Sequence, residues 1–377
     1  IMAEYKNVEK PFLEKLKELD WKVIDQGSFG IPQDPSKSLR NNFKEVTLKE
    51  EFIKAVKRIN TINGAQWLTD IQTEKIYQEV TATEKSNLSL LEANKKVAEK
   101  LIGKTKTTVA KNELTDEQNP LVKLIDFDNW NNNTYTAINQ FLVETPGAAR
   151  QSIIPDIVLF VNGLPLAVIE CKDVDKADPL SESIDQIMRY ANTRDDEFGT
   201  KEGEERLFHY NLFCIASHGE EARFSSITGD FEYYLNWKDI FPETYKTIDI
   251  NSYSNEEKIR YGASGLNKQP KVRQEVTIHG LLNKEVLLDV MRHFTVFLEI
   301  KTGVVIKIVC RYQQYRAVGK ILERLRAGKT GKERSGVVWH TQGSGKSLTM
   351  VFLVRKLRSQ KDLRDYKVLF TVDRVDL

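Results

Sequence analysis

Between Pro155 and Asp173 the chain reads PDIVLFVNGLPLAVIECKD, a stretch that leaves little choice of fold. IVLFV and LAVIE are short and apolar on both faces, the pattern of strands buried inside a sheet. They are joined through Asn162-Gly163, a dipeptide that accepts the positive φ angles of a tight hairpin turn. The two strands are expected to pair antiparallel. Folding about that turn brings Asp156 opposite Glu170 to within about one residue, and paired strands lie only about 4.8 Å apart. Because side chains alternate along a strand, Glu170 and Lys172 share a face and Cys171 points the other way. Two carboxylates and an ammonium thus converge at one end of an apolar hairpin, where an unpaired buried carboxylate is costly.

A divalent cation relieves such a pair. Mg2+ is a hard ion, usually held by one or two carboxylates, that keeps waters and phosphate oxygens in its other positions. The ion would position and acidify a water, while Lys172 would orient that water or stabilise a negatively charged transition state. Such a residue set suits phosphodiester hydrolysis.

A second set lies in GVVWHTQGSGKSLTMVFLVRKLR. An apolar strand is expected at Gly336 to Trp339, then a glycine-containing loop, then an amphipathic helix from about Lys346 to Leu357. That is the context a P-loop requires. Gly343, Ser344 and Gly345 form the loop whose amides wrap phosphates, Lys346 reaches the β and γ phosphates, and Ser347 is placed to bind Mg2+ at the helix N-terminus. The set departs from GxxxxGK[ST] in having His340 at the first glycine position.

With both sets in view, the chain resembles known families. Pro155-Asp156 and Glu170-Cys171-Lys172 match the motif of the PD-(D/E)xK nucleases. The RecB-like branch adds QxxxY on the following helix, and DQIMRY supplies Gln186 and Tyr190, which helical spacing puts on one face. The family also carries an acid on its first helix facing the metal; this implies Glu9, with Glu14 as the alternative. Upstream of the P-loop, CRYQQYRAVGKILERL resembles the segment with which superfamily 2 helicases read adenine, which implies that role for Gln314, or else Gln313. KVLFTVDRVDL reads as a further apolar strand, and its Asp373-Arg374 resembles motif Ia of those motors. No DExx strand follows, so this chain by itself is expected to bind nucleotide poorly and not to hydrolyse it efficiently.

A RecB-like nuclease followed by a superfamily 2 motor resembles the restriction (R, motor) subunit of type I restriction-modification enzymes. The implied fold class is α/β: a PD-(D/E)xK nuclease fold, a mixed sheet flanked by helices, then the first part of a RecA-like motor. The implied function is Mg2+-dependent cutting of double-stranded DNA coupled to ATP-driven translocation, in complex with methyltransferase and specificity subunits. The alternative is a superfamily 2 translocase whose nuclease-like part only docks or holds DNA.

The rest of the sequence fits two domains. The first quarter carries helical spacing in KPFLEKLKELDW, LKEEFIKAVKRIN and a polar stretch from Thr69 to about Ile102, and Trp130 to Ser217 reads three strands, a helix near Ser181 to Asn192, and a strand. The passage 251–271 has almost no apolar periodicity, giving an expected nuclease domain at 1–250, a linker at 251–275 and a motor part at 276–377. From Asn251 on there are 25 Lys and Arg against 12 Asp and Glu, a net of +13, which leaves −11 for the first 250 residues. The C-terminal part is thus the better candidate for phosphate-binding surface. Three scattered cysteines without CxxC spacing argue against a disulfide framework or a zinc site, and the lack of a signal-like leader or long apolar run points to a cytoplasmic, non-membrane protein.

Overall fold

The computed structural model describes residues 2–28, 30–194, 199–243, 273–301 and 303–371. At its centre is a mixed sheet of six strands that stand side by side in chain order: β1 (Lys22–Ile24), β2 (Tyr135–Asn139), β3 (Ile157–Val161), β4 (Leu164–Cys171), β5 (Phe213–Ser217) and β6 (Ala222–Ser225). β1 runs parallel to β2 and β4 parallel to β5; the other neighbours are antiparallel. Every residue of β3 and β4 is buried, as the unbroken apolar runs require of central strands.

The expected hairpin forms with the expected turn. Asn162 and Gly163 have φ of 48° and 76°, and Ile157 pairs with Ile169, which sets Asp156 across from Glu170. The turn is covered by helix α2 (Lys49–Ile59), whose preceding Leu48 donates its N–H to the Gly163 carbonyl at 2.8 Å. A Cβ on residue 163 would lie 2.4 Å from the Leu48 carbonyl oxygen and 2.8 Å from the Phe52 nitrogen. Both neighbours are backbone and cannot step aside. Gly163→Ala is therefore expected to lose about 2–4 kcal/mol, from left-handed strain together with overpacking, read as a lower urea midpoint.

The helices follow from their periodicity and caps. α1 (Lys10–Glu18) buries Phe12, Leu13 and Leu16 and is preceded by a π-helical turn at Tyr5–Glu9. The polar stretch read as one helical run is two helices, α3 (Asp70–Val80) and α4 (Leu90–Leu101), each opened by a capping box, at Thr69 and at Ser89. Those capping side chains satisfy N–H groups of the first turn and so start new helices. α5 (Pro179–Tyr190) crosses from β4 to β5 and buries Ile184, Ile187 and Tyr190.

Most of the expected linker lies outside the described residues, but its last three, 273–275, are already helical. They open α6 (Arg273–Leu281), which is followed by α7 (Lys284–His293) and a hairpin of β7 (Thr295–Lys301) and β8 (Val304–Val309). This segment shares one hydrophobic core with the sheet. A file of ring contacts, Phe213, Phe224, Trp237, Tyr315, Phe294 and Phe352, runs from β5 to two C-terminal helices with centroid separations of 4.9–6.1 Å. Those helices are α8 (Tyr312–Ala327) and α9 (Lys346–Ser359).

Two expected strands are corrected. Residues 336–339 and 367–371 are extended or irregular and pair with none of the described residues; Val337 is 91% exposed and Trp339 87%. An apolar run becomes a strand only where a neighbour accepts its backbone hydrogen bonds. The motif Ia residues Asp373 and Arg374 lie outside the described residues.

Candidate active site

The hairpin delivers the acids as its register demands, and the chain then surrounds them. Asp156 Oδ2 accepts the Cys171 backbone N–H at 2.7 Å, tying the start of β3 to the end of β4. Glu170 is fully buried, and its Oε1 takes the Lys172 ammonium at 2.6 Å. Lys172 also donates to the Cys171 carbonyl at 3.0 Å, while its backbone N–H goes to the Ser217 carbonyl of β5. Glu170 Oε2 is buried with no hydrogen-bond partner. No N–H or hydroxyl reaches that oxygen, so only a proton shared with Asp156 or a cation can relieve the pair.

The electrostatics follow from crowding. Burial, then the neighbouring Asp156, push the Glu170 carboxyl well above its ordinary range, against the pull of Lys172. Burial pushes Asp156 up to about 6. Burial works against the Lys172 ammonium, but Glu170 and Asp156 outweigh it and hold the amine protonated. Lys172 is thus a fixed cation rather than a proton acceptor near neutral pH.

Glu9 comes from the π-helical turn, where an extra residue per turn re-aims side chains. It is buried, and burial with the charge of Asp156 raises it to about 8. Its two oxygens accept from Gln140 Nε2 at 3.2 and 3.0 Å, and the same nitrogen lies 3.3 Å from Asp156 Oδ1. Glu14, the alternative, is exposed. Among the described residues no group of three or more His, Cys, Asp or Glu is arranged to hold a metal ion. The present arrangement is a carboxylate pair, Asp156 and Glu170, with Glu9 beside it across an amide.

Gln186 and Tyr190 meet on α5, Nε2 donating to the phenol oxygen at 2.5 Å, and the phenol donates to the Ile154 carbonyl at 3.1 Å, two residues before Asp156. Burial, then Glu170 and Asp156, drive the phenol further from ionising. The helix therefore braces the strand that carries Asp156. Gln140 and the adjacent Asn139 were not singled out in the sequence. The available signal is two amides closing an apolar strand run, and it is weak.

The residues expected to form a phosphate loop lie in a separate place. Gly343 and Gly345 have φ of 74° and 81°, and α9 begins at Lys346. Lys346 and Ser347 are exposed, whereas Ser344 is buried with its hydroxyl donating to Thr341. Gln314 is buried; its carbonyl accepts the Arg311 N–H at 2.8 Å and its amide donates to the Gly345 carbonyl at 3.0 Å. It fastens the loop from behind. Gln313 lines a cleft of about 1070 Å³ together with Tyr312, Arg316, Trp339 and His340.

The fold and these two places describe a mixed α/β sheet with a buried acid pair, joined to a segment in which a glycine-containing loop opens a helix. Comparison with known proteins gives the family. Residues 1–233 match the model of the type I restriction enzyme R protein N terminus, and residues 313–377 match that of the SWI2/SNF2 ATPases. The chain belongs to the type I restriction enzyme R protein N-terminal family. It is 29% identical over 379 residues to the type I restriction enzyme HindI endonuclease subunit of Haemophilus influenzae, covering 100% of this chain and 32% of that one. It is 27% identical over 266 residues to the SauMSSORF170P endonuclease subunit of Staphylococcus aureus, covering 70% of this chain and 23% of that one. The chain thus spans about a third of the length of the first of these relatives. No helix among the described residues is long and apolar enough to cross a membrane.

Proposed function

We propose that this chain is the nuclease-bearing, N-terminal part of a type I R subunit, with a PD-(D/E)xK active site at Asp156, Glu170 and Lys172, that hydrolyses double-stranded DNA. The observation that carries the reading is the buried Glu170 Oε2, which no N–H or hydroxyl reaches and which faces only the Asp156 carboxyl while Lys172 pairs with the other oxygen. A hard divalent cation fits that donor set, and Asp156 and Glu170 would hold it, with Glu9 as a further oxygen ligand. When bound, such an ion supplies an acidified water and offsets charge on the departing oxygen. Lys172 presents its ammonium to the phosphate and stabilises the added negative charge. Gln186 and Tyr190 keep the β3 end in place.

In the same proposal, residues 313–377 begin an ATP-driven DNA translocase, with Gly343, Ser344, Gly345, Lys346 and Ser347 around the phosphates and Gln314 or Gln313 toward adenine. Double-stranded DNA is the substrate, ATP and Mg2+ are the cofactors, and methyltransferase and specificity subunits are the partners. The proposed functional partition is a nuclease part over 1–250 and a motor part over 276–377, with the C-terminal end of the intervening 251–275 taken into α6. A net charge of −11 over the first 250 residues suits a nuclease to which DNA must be brought.

The raised carboxyls give a test. In the metal-free protein they bind protons more tightly than in the unfolded chain, so stability falls as pH rises from about 4.5 through 6 to 8. A cation competes with those protons and is favoured as they leave. The rise in Tm on adding Mn2+ is expected to be larger at pH 8 than at pH 5.5, by differential scanning calorimetry of the full-length protein without nucleotide. An equal rise at both pH values would remove these acids from the metal site.

A further inference from the structure

Gln140 stands where the two acidic elements meet. It follows β2 directly, and its backbone is left-handed, at φ 48°. Its own N–H donates to the Asp156 carbonyl at 2.8 Å, and the Phe141 N–H donates to the Pro155 carbonyl at 3.0 Å, so residue 140 is fixed against the base of Asp156. Behind it, Gln26 Nε2 donates to the carbonyls of Asn139 and Gln140 at 2.7 and 3.2 Å. Only the side chain points toward the acids. One amide nitrogen, with two protons, faces three carboxylate oxygens, Glu9 Oε1 and Oε2 and Asp156 Oδ1, at 3.0–3.3 Å.

That geometry does two things. Both partners are acceptors, so the amide must present its NH2 group to them. It also joins a side chain from the N-terminal π turn to one from β3, residues 147 positions apart in sequence, without adding charge to either. A lysine there would neutralise the acids and compete with a cation; a carboxylate would repel them. A neutral donor keeps Glu9 within reach of Asp156 and stays displaceable, because three long, shared hydrogen bonds are weaker than one short bond of good geometry. This also accounts for why Glu9 now stands beside the acid pair rather than with it.

We propose that Gln140 is a positioning residue of the nuclease site: its amide holds Glu9 against Asp156 so that a divalent cation taken up by Asp156 and Glu170 gains Glu9 as a third carboxylate. This rests on the nuclease reading of the site. Gln140 touches neither substrate nor reacting water. It acts through the ligands, as hydrogen-bonding partners of metal ligands commonly do, with about 10–100-fold effects on affinity when they are removed.

Gln140→Asn is the informative variant, since asparagine accepts the left-handed backbone but is one methylene too short to bridge both acids. In the full-length protein without nucleotide, the Mn2+ dissociation constant from titration calorimetry is expected to rise about 10-fold, with Glu170→Gln setting the background from other sites. The Mn2+ concentration giving half-maximal cleavage in the assembled complex should rise by the same factor, and the rate at saturating Mn2+ should hold. Unchanged affinity, or a rate lowered equally at every Mn2+ concentration, would overturn the role. Gln140→Glu supplies a second readout: it keeps the length but replaces the donor with a charge, so the metal-free Tm should drop and the Mn2+-induced rise should exceed that of the unmutated protein. A rise no larger than normal would also count against the proposal. If the unmutated protein takes up no Mn2+ at this site, the nuclease reading falls and Gln140 with it; if it does and the variants match it, only Gln140 falls.

Discussion

Lys172→Ala in the full-length protein, assembled with its partner subunits, is expected to lower DNA cleavage by about 10²–10³-fold, the usual cost of removing one fixed donor to a developing negative charge. ATP hydrolysis should be unchanged, because the phosphate loop is a separate place in the fold. The size of the effect follows from how Lys172 is held. Its ammonium is pinned between Glu170 Oε1 and the Cys171 carbonyl, and the two acids keep it charged despite its burial. Water does not replace a buried, oriented cation of that kind. Removing one member of a buried ion pair often costs about 3–5 kcal/mol of stability, but here the Glu170 carboxyl already favours its proton and neutralises itself, so the variant should fold. Glu170→Gln provides the control: it keeps the size of the side chain but replaces a carboxyl that can ionise to take up a cation with a neutral amide, so Mn2+ uptake should vanish with it, whereas Lys172→Ala should retain uptake and lose only the rate. A Lys172→Ala protein that cut DNA normally would move the chemistry elsewhere and leave this sheet as a docking or DNA-holding module.

What the sequence made legible was local. The hairpin could be read because its turn, its strand length and its alternation are all contained in nineteen residues, Pro155 to Asp173, and Gln186 and Tyr190 because a helix repeats every ~3.6 residues. Glu9 is different. Nothing in NVEKPFLEKL distinguishes Glu9 from Glu14 by periodicity; the π-helical turn and a contact to residue 140 on another element do so. Gln140 was hidden for the same reason. Its importance comes from a left-handed backbone and from partners 131 and 16 residues away. The strand expected before the phosphate loop failed for the opposite reason: VVW has the composition of a strand, but pairing depends on a neighbour that local composition does not supply. Gln314 was singled out as a reader of adenine, yet its amide is engaged with Arg311 and Gly345, so its first structural task is to shape the loop.

Lys346→Ala is expected to give the converse phenotype. Lys346 is exposed at the first position of α9 and has no ion pair among the described residues, so its removal should leave the Tm unchanged. An interaction made only with a bound phosphate group is lost only when that phosphate is present. ATP hydrolysis by the full-length protein should therefore fall by about 10²-fold or more, as for other removals of a charge-stabilising group from phosphoryl transfer. DNA cleavage by the assembled complex should fall with it, although every residue around Asp156 is untouched and Mn2+ uptake there stays normal. This coupling follows from charge: the first 250 residues, at a net −11, attract duplex DNA weakly, whereas the segment from Asn251 on carries the positive excess. If the nuclease must be fed, a silent motor makes a silent nuclease. Cleavage at the normal rate by Lys346→Ala, with ATP hydrolysis abolished, would show that the acid pair acts on DNA without delivery.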